Sequence, residues 1–262
     1  MDDLSQRHAL ACHVAREAGM LAMEYFCRRD ELTVDAKGVQ DWVSEADREV
    51  ESLIRSRLAE TFPRDGILGE EEGWQPGESA GYWVIDPIDG TTNFLRGLPD
   101  WGVVLAYVEQ DQVQVGVTYA PIHELLYSAV RGQGAELNDQ PLKRKEEAVA
   151  PDSALIYLGF GARNDLPAYK ARLDYLYSCN MDQRRLGSAA LALARTADGR
   201  VDGFFESRIN LWDVAAGLLI VEEAGGWHNY IDRPLPRGEK MGVLACDASL
   251  ETTLMPLFEI RG

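Results

Sequence analysis

Residues 82–94 read Tyr82-Trp83-Val84-Ile85-Asp86-Pro87-Ile88-Asp89-Gly90-Thr91-Thr92-Asn93-Phe94. Trp83, Val84 and Ile85 have the β-branched and aromatic content of a buried strand, which delivers Asp86 at its end. Pro87 removes a backbone donor and fixes a turn, so Asp89 follows on a bent segment and the two carboxylates converge. Gly90 permits close backbone approach. Thr91-Thr92-Asn93 suits a helix start whose free amides face an anion. Carboxylates for a hard cation beside amides for a phosphate point to metal-assisted phosphoryl chemistry. An isolated D-x-x-D-G is more often a solvated strand-end acid and an ordinary turn; the length of the surrounding motif sets this one apart.

Working outward toward the N-terminus, residues 67–73 form a short strand, Ile67-Leu68-Gly69, ending in Glu70, Glu71 and Glu72. Ser44-Glu45-Ala46-Asp47 has the form of a capping box that opens a helix through about Phe62. Residues 32–41 are polar and turn-rich and include Lys37, read alone as a solvated lysine. Residues 4–28 show helical periodicity, with Leu10, Val14, Ala18, Leu21 and Tyr25 on one side. Ala18-Gly19 is where a second helix is expected to pack closely.

Toward the C-terminus, Trp101–Glu109 and Val113–Ala120 read as a hairpin, Leu125–Val130 continues the sheet, and Gly132-Gln133-Gly134-Ala135 ends it. The charged run 143–147 marks a boundary between two lobes, 1–143 and 144–262, of one domain. Beyond it come strand 154–159, helix 166–177, a segment 183–186, and Gly187-Ser188-Ala189-Ala190, which opens an apolar helix. That step is readable as a plain helix cap or as a cradle of amides for a substrate oxygen. A strand from Val201 ends at Glu206, and another apolar helix starts near Asp213, where an acid ordinarily serves the helix dipole.

The chain has 262 residues, 46% hydrophobic and 26% charged, as in a soluble globular protein. The net charge of −17, with no basic stripe to offset it, makes nucleic acid an unexpected partner. The same charge repels a phosphorylated substrate unless bound cations reverse the field locally. Four scattered cysteines without a C-x-x-C read as reduced thiols of a cytoplasmic protein. The N-terminus lacks a signal-peptide pattern, and the longest apolar stretch, 214–221, is too short to span a membrane.

The string W-V-I-D-P-I-D-G-T-T-N-F resembles the signature of the inositol monophosphatase family. Val43-Ser44-x-x-Asp47, Gly69-Glu70-Glu71, Arg184-x-x-Gly187-Ser188-Ala189 and Trp212-Asp213-Val214-Ala215-Ala216-Gly217 resemble its other segments, in order and across nearly the whole chain. Periodicity alone reaches only mixed α/β; the resemblance implies a layered αβαβα sandwich. It implies a phosphoric monoester hydrolase using two or three Mg²⁺ ions held by Glu70, Asp86, the Ile88 carbonyl, Asp89 and Asp213. Glu70 and Thr91 would orient the attacking water, with Asp47 beneath them. Asp89, Gly90, Thr91, Gly187, Ser188, Ala189 and Glu206 would contact the substrate, and Lys37, Glu71 and Arg184 are further candidates. The expected substrate is a small phosphate ester such as myo-inositol 1-phosphate. Histidinol phosphate, 3′-phosphoadenosine nucleotides and fructose 1,6-bisphosphate are alternatives, as is a regulatory binding protein on the same fold. Lithium sensitivity and a homodimer are also implied, with Trp101, Tyr157 and Phe160 as apolar surface candidates.

Overall fold

Alternation along the strands sorts the core into layers. The computed structural model describes residues 3–38, 41–144, 147–161, 165–231 and 233–261, the side chains of 36–38, 41 and 42 excepted. In the first half, α1 spans Asp3–Cys27, β1 Val34–Gly38, β2 Asp41–Ser44, α2 Glu45–Thr61, β3 Gly66–Gly69, β4 Gly73–Gln75, β5 Tyr82–Asp89 and α3 Thr91–Leu95. β6 covers Gly102–Glu109, β7 Gln112–Ala120, β8 Leu125–Val130, β9 Gly134–Leu137 and β10 Gln140–Leu142. In the second half follow β11 Leu155–Leu158, α4 Leu166–Ser178, β12 Asp182–Arg184, α5 Ala189–Ala197, β13 Gly203–Ile209 and α6 Leu211–Glu223. β14 Trp227–His228, β15 Met241–Cys246 and α7 Glu251–Leu254 close the chain.

Eight strands form one sheet in the order β10-β9-β8-β7-β6-β5-β3-β4, and five form a second in the order β12-β11-β13-β15-β14. Successive strand residues point to opposite faces. Thus Trp83, Ile85, Leu105 and Val117 pack on Ala11, Val14, Ala18 and Ile54 of α1 and α2. Their neighbours Val84, Val104 and Ala106 face the other way, onto Leu193, Ala216 and Leu219 of α5 and α6. The same cluster includes Phe204, Val243 and Ala245 of the second sheet. That sheet turns Ile156, Leu158, Phe205 and Leu244 outward against Leu176 of α4 and Leu254 of α7. The layers therefore run helix, sheet, helix, sheet, helix: the expected αβαβα sandwich, with a cluster that draws on both halves of the chain.

Several details depart from the sequence expectations. The stretch read as turn-rich contains strand: β1 and β2 pair antiparallel, Val34 opposite Ser44. The sheet does not end at Gly132–Ala135, because β9 and β10 extend it through a further antiparallel ladder. Gly19 does not meet a second helix; a Cβ there would lie 2.5 Å from the Tyr119 ring of β7. The buried stripe of α1 runs along Ala11, Val14, Ala15, Ala18 and Ala22, leaving Leu10, Leu21 and Tyr25 at its edges. Small side chains bring the helix close to the sheet. Trp101 is fully buried and Tyr157 nearly so, so neither offers surface for a partner; Phe160 is half-buried. Trp101 instead joins Phe94 at 4.9 Å and Phe26 at 5.5 Å between ring centroids, edge-on and tilted respectively. This aromatic trio pins α3 to the C-terminal end of α1. Among the described residues, no helix is long and apolar enough to cross a membrane.

Candidate active site

β5 carries the central motif without leaving the sheet. Asp86 pairs with Val104 and Asp89 with Gly102, so three steps on β5 oppose two on β6. The bend expected after Asp86 is therefore a bulge inside a strand, a device that re-aims side chains. Within it the Ile88 amide donates to Asp86 Oδ1 at 3.0 Å. Gly90 then takes φ of 100°, in the left-handed region, and caps α3. Glycine adopts that conformation without the steric cost of a Cβ.

Three carboxylates converge. Oxygens of Glu70, at the end of β3, Asp86 on β5 and Asp213 in the first turn of α6 all lie within 4.8 Å of one another. Parallel pairing of β3 with β5 sets Gly69 beside Ile85, which places the residues that follow each at one end of the sheet. Asp213 arrives from the middle helical layer, its Oδ2 accepting from the Asn210 amide at 3.0 Å. Asp89 adjoins the group but turns Oδ2 toward α5, accepting from the Ser188 hydroxyl at 2.5 Å and the Ala190 amide at 2.7 Å.

Burial and mutual repulsion dominate the electrostatics. Burial first, then the charges of Glu70, Asp89 and Asp213, hold Asp86 well above the usual carboxylate range. Burial pushes Asp89 up to about 6 against its hydrogen bonds, and burial with repulsion from Asp89 pushes Asp213 to about 8. Asp86 Oδ2 is buried with no hydrogen-bond partner among the described residues. A desolvated carboxylate oxygen left so is costly, and a cation is the partner the oxygen-only donor set fits. The donors suit the Mg²⁺ that the sequence resemblance implies.

Beneath the cluster, Asp47 is buried and accepts from the Thr91 hydroxyl at 3.1 Å. The same hydroxyl lies 3.2 Å from the Ile88 carbonyl. The expected capping box is present: the Ser44 amide donates to Asp47 Oδ2 at 2.8 Å and the Ser44 hydroxyl at 2.6 Å. Asp47 thus caps α2 with one oxygen and holds Thr91 with the other. Burial raises its pKa above the ordinary value.

An open cavity of about 620 Å³ lies over these groups, lined by Glu70, Asp89, Gly90, Thr91, Gly187, Ser188, Ala189, Glu206 and Asp213 among others. Ser188 caps α5, its hydroxyl oxygen accepting from the Leu191 amide at 3.2 Å. Gly187 has φ of 88°, and a Cβ there would meet the Asn93 amide group at 3.1 Å. The Asn93 Nδ2 donates to the Leu186 carbonyl at 3.1 Å and to the Asp100 carbonyl at 2.6 Å, tying α3 to the start of α5.

Other candidates fall elsewhere. Arg184 does not line the cavity: on the edge strand β12 it is exposed and bonded to Asp182 at 2.7 Å, and its neighbour Arg185 is the one that faces the cavity. Glu71 lies outside the cavity lining, its amide donating to the buried Glu51 at 2.8 Å. The side chain of Lys37 lies outside the described residues. Sequence reasoning missed Glu51 and Arg55. Glu51 also accepts from the Glu72 amide at 2.9 Å, while Arg55 donates to Glu51 at 2.9 Å and to the Gly73 carbonyl at 2.8 Å. The pair moulds the turn that carries Glu70. Its signal was a charged i,i+4 pair on the α2 stripe that Val50, Ile54 and Leu58 bury.

Comparison with known proteins bears on the whole chain. Residues 3–260 match the model of the inositol monophosphatase family. A protein of Pasteurella multocida called Nus factor SuhB is 40% identical over 220 residues, covering 83% of this chain and 82% of that one. An inositol-1-monophosphatase of Mesorhizobium japonicum is 40% identical over 223 residues, 83% of each chain. The crystal structure of extragenic suppressor protein suhB from Bartonella henselae superposes with a TM-score of 0.87 at 32% identity, covering 96% of this chain and 97% of that one.

Proposed function

Since the chain belongs to the inositol monophosphatase family and is a phosphatase by that membership, we propose that it is a Mg²⁺-dependent hydrolase of polyol or sugar monophosphates, with myo-inositol 1-phosphate as the reference substrate. The convergence of Glu70, Asp86 and Asp213, together with a buried Asp86 Oδ2 that has no hydrogen-bond partner among the described residues, carries this reading. Glu70, Asp86, the Ile88 carbonyl, Asp89 and Asp213 would hold two or three Mg²⁺ ions. Bound Mg²⁺ lowers the pKa of a coordinated water and offsets negative charge on the phosphate and the leaving oxygen.

The chain's own residues supply the rest. Asp47 accepts a hydrogen bond from the Thr91 hydroxyl, which leaves the Thr91 oxygen lone pairs to accept from the attacking water and aim it. Glu70 orients the same water from the other side. The amides of Gly90 and Thr91, at the start of α3, face the phosphate oxygens where negative charge accumulates. Gly187, Ser188 and Ala189 meet the substrate skeleton, and Glu206 accepts from one of its hydroxyls. No residue serves as a covalent nucleophile.

Replacing Asp89 by Asn removes one charge and nearly preserves shape. Phosphate release from myo-inositol 1-phosphate should fall at least about 100-fold, as for loss of a metal-holding group in a two-metal mechanism. Excess EDTA should abolish it in the wild type. Full activity in either condition contradicts the reading.

A further inference from the structure

Arg185, Arg208 and Lys240 are positively charged side chains of the cavity lining. Arg185 has a structural partner, donating to the Phe160 carbonyl at 2.9 Å. Arg208 and Lys240 reach the cavity from the second sheet: β13 and β15 run antiparallel with Ile209 opposite Met241, so the two cations flank that rung from opposite sides, Lys240 just before β15 begins. Both are exposed to the cavity. Among the described residues neither forms an ion pair, in a chain with 43 acidic and 26 basic side chains. Acids outnumber bases in the chain, so two cations lining one cleft are a departure from its average; the charge of Lys240 reaches Asp213, whose carboxyl it draws down against burial. Glu206 lies on the same strand as Arg208 and lines the same space. At about 620 Å³ the cavity exceeds what a bare phosphate fills and lies within the range, about 300–1,000 Å³, of sites that enclose a larger molecule.

On the phosphatase reading above, we infer that Arg208 and Lys240 form a second anion subsite, so that the preferred substrate bears an acidic group besides the phosphate that is hydrolysed. A carboxylate and a second phosphate share the required chemistry; arginine grips either through its planar fork, and lysine acts as a point charge. The alternative role for such cations is to draw any phosphate ester inward by the field at the cleft mouth. Steering acts on every ester alike, whereas a subsite acts on the second group.

Three substrates with one skeleton separate these cases: glucose 1-phosphate, glucuronate 1-phosphate and glucose 1,6-bisphosphate. Release of the 1-phosphate is followed with Mg²⁺ present, and kcat/KM is compared. The wild type should favour one or both of the doubly acidic esters over glucose 1-phosphate by about tenfold, the scale of a charge-assisted contact. Which ester gains more tells carboxylate from phosphate. In the double variant Arg208→Gln, Lys240→Gln that preference should fall to near unity, and Arg208→Lys alone should keep most of it. A wild type that hydrolyses glucose 1-phosphate without preferring either partner overturns the subsite while leaving the phosphatase reading intact. So does a double variant that loses all three activities in proportion, the signature of steering. A wild type that hydrolyses none of them and no myo-inositol 1-phosphate overturns both.

Discussion

One wall of the cavity, from Glu70 to Asn93, takes its functional groups from a single run of chain on the eight-stranded sheet. The facing wall assembles Tyr157, Arg185, Glu206, Arg208 and Lys240 from separate segments on or beside the five-stranded sheet. Burial differs as sharply: Asp86 is 1% exposed and Asp89 7%, whereas Arg185, Arg208 and Lys240 are exposed. The first wall is locked by ladder hydrogen bonds, the Phe94–Trp101–Phe26 trio and the buried Glu51–Arg55 pair. A side chain there cannot shift without disturbing the core. The exposed Arg185, Arg208 and Lys240 of the second wall can be exchanged with little cost to stability. Under the proposed function, the first wall would handle the phosphate and the second the choice of substrate.

Variants on the two walls should therefore behave differently. The largest effect below loss of an acid is expected at Thr91. Thr91→Val keeps the shape and removes the hydroxyl bonded to Asp47; kcat should fall about 100-fold, the lower range for a group that orients a proton transfer. Thr91→Ser should retain most activity, and both variants should act alike on every substrate. Steady-state kinetics on myo-inositol 1-phosphate and on 4-nitrophenyl phosphate checks this, and equal rates for Val and Ser remove the Thr91 hydroxyl from the mechanism.

On the second wall the effect should be smaller and selective. Glu206→Gln preserves size and weakens one hydrogen bond to a charged acceptor, about 1–3 kcal/mol. That is a loss of about tenfold or more in kcat/KM on myo-inositol 1-phosphate, with little change on 4-nitrophenyl phosphate. A parallel loss on both substrates would move Glu206 to the chemical wall and erase the contrast.

The same contrast explains what was legible in the sequence. Five layers were implied by family resemblance, and Asp86, Asp89, Gly90 and Thr91 lie within six residues, so their meeting is a local matter of strand, bulge and helix start. Asp213 is far along the chain, and only the motif around it pointed to the site. Glu51 showed in the sequence only as an i,i+4 partner of Arg55; its bonds to the Glu71 and Glu72 amides go to backbone groups of another segment, which carry no residue type to read. Arg208 and Lys240 escaped notice because their placement at one cavity depends on β13–β15 register, set by long-range packing. Arg184 and Arg185 were indistinguishable in the sequence, since which of two neighbours faces a cavity turns on strand orientation at an edge.

The central claim is that Glu70, Asp86, Asp89 and Asp213 are a cation site, and Mg²⁺ titration calorimetry between pH 5.5 and 8.5 tests it without catalysis. Burial raises Asp89 to about 6, and burial with repulsion from Asp89 raises Asp213 to about 8, so near neutral pH the metal-free fold holds protons that the unfolded chain, with ordinary carboxylates, would release. Two consequences have opposite sign. Without metal, stability should fall as pH rises from about 4 through 8, because the native state binds more protons than the unfolded state over that window. Mg²⁺ must displace those protons, so its affinity should rise over the same window and binding should release protons at pH 7, seen as a buffer-dependent heat. Asp86→Asn should abolish that heat. Mg²⁺ affinity independent of pH, with no proton release and no effect of Asp86→Asn, would contradict the account.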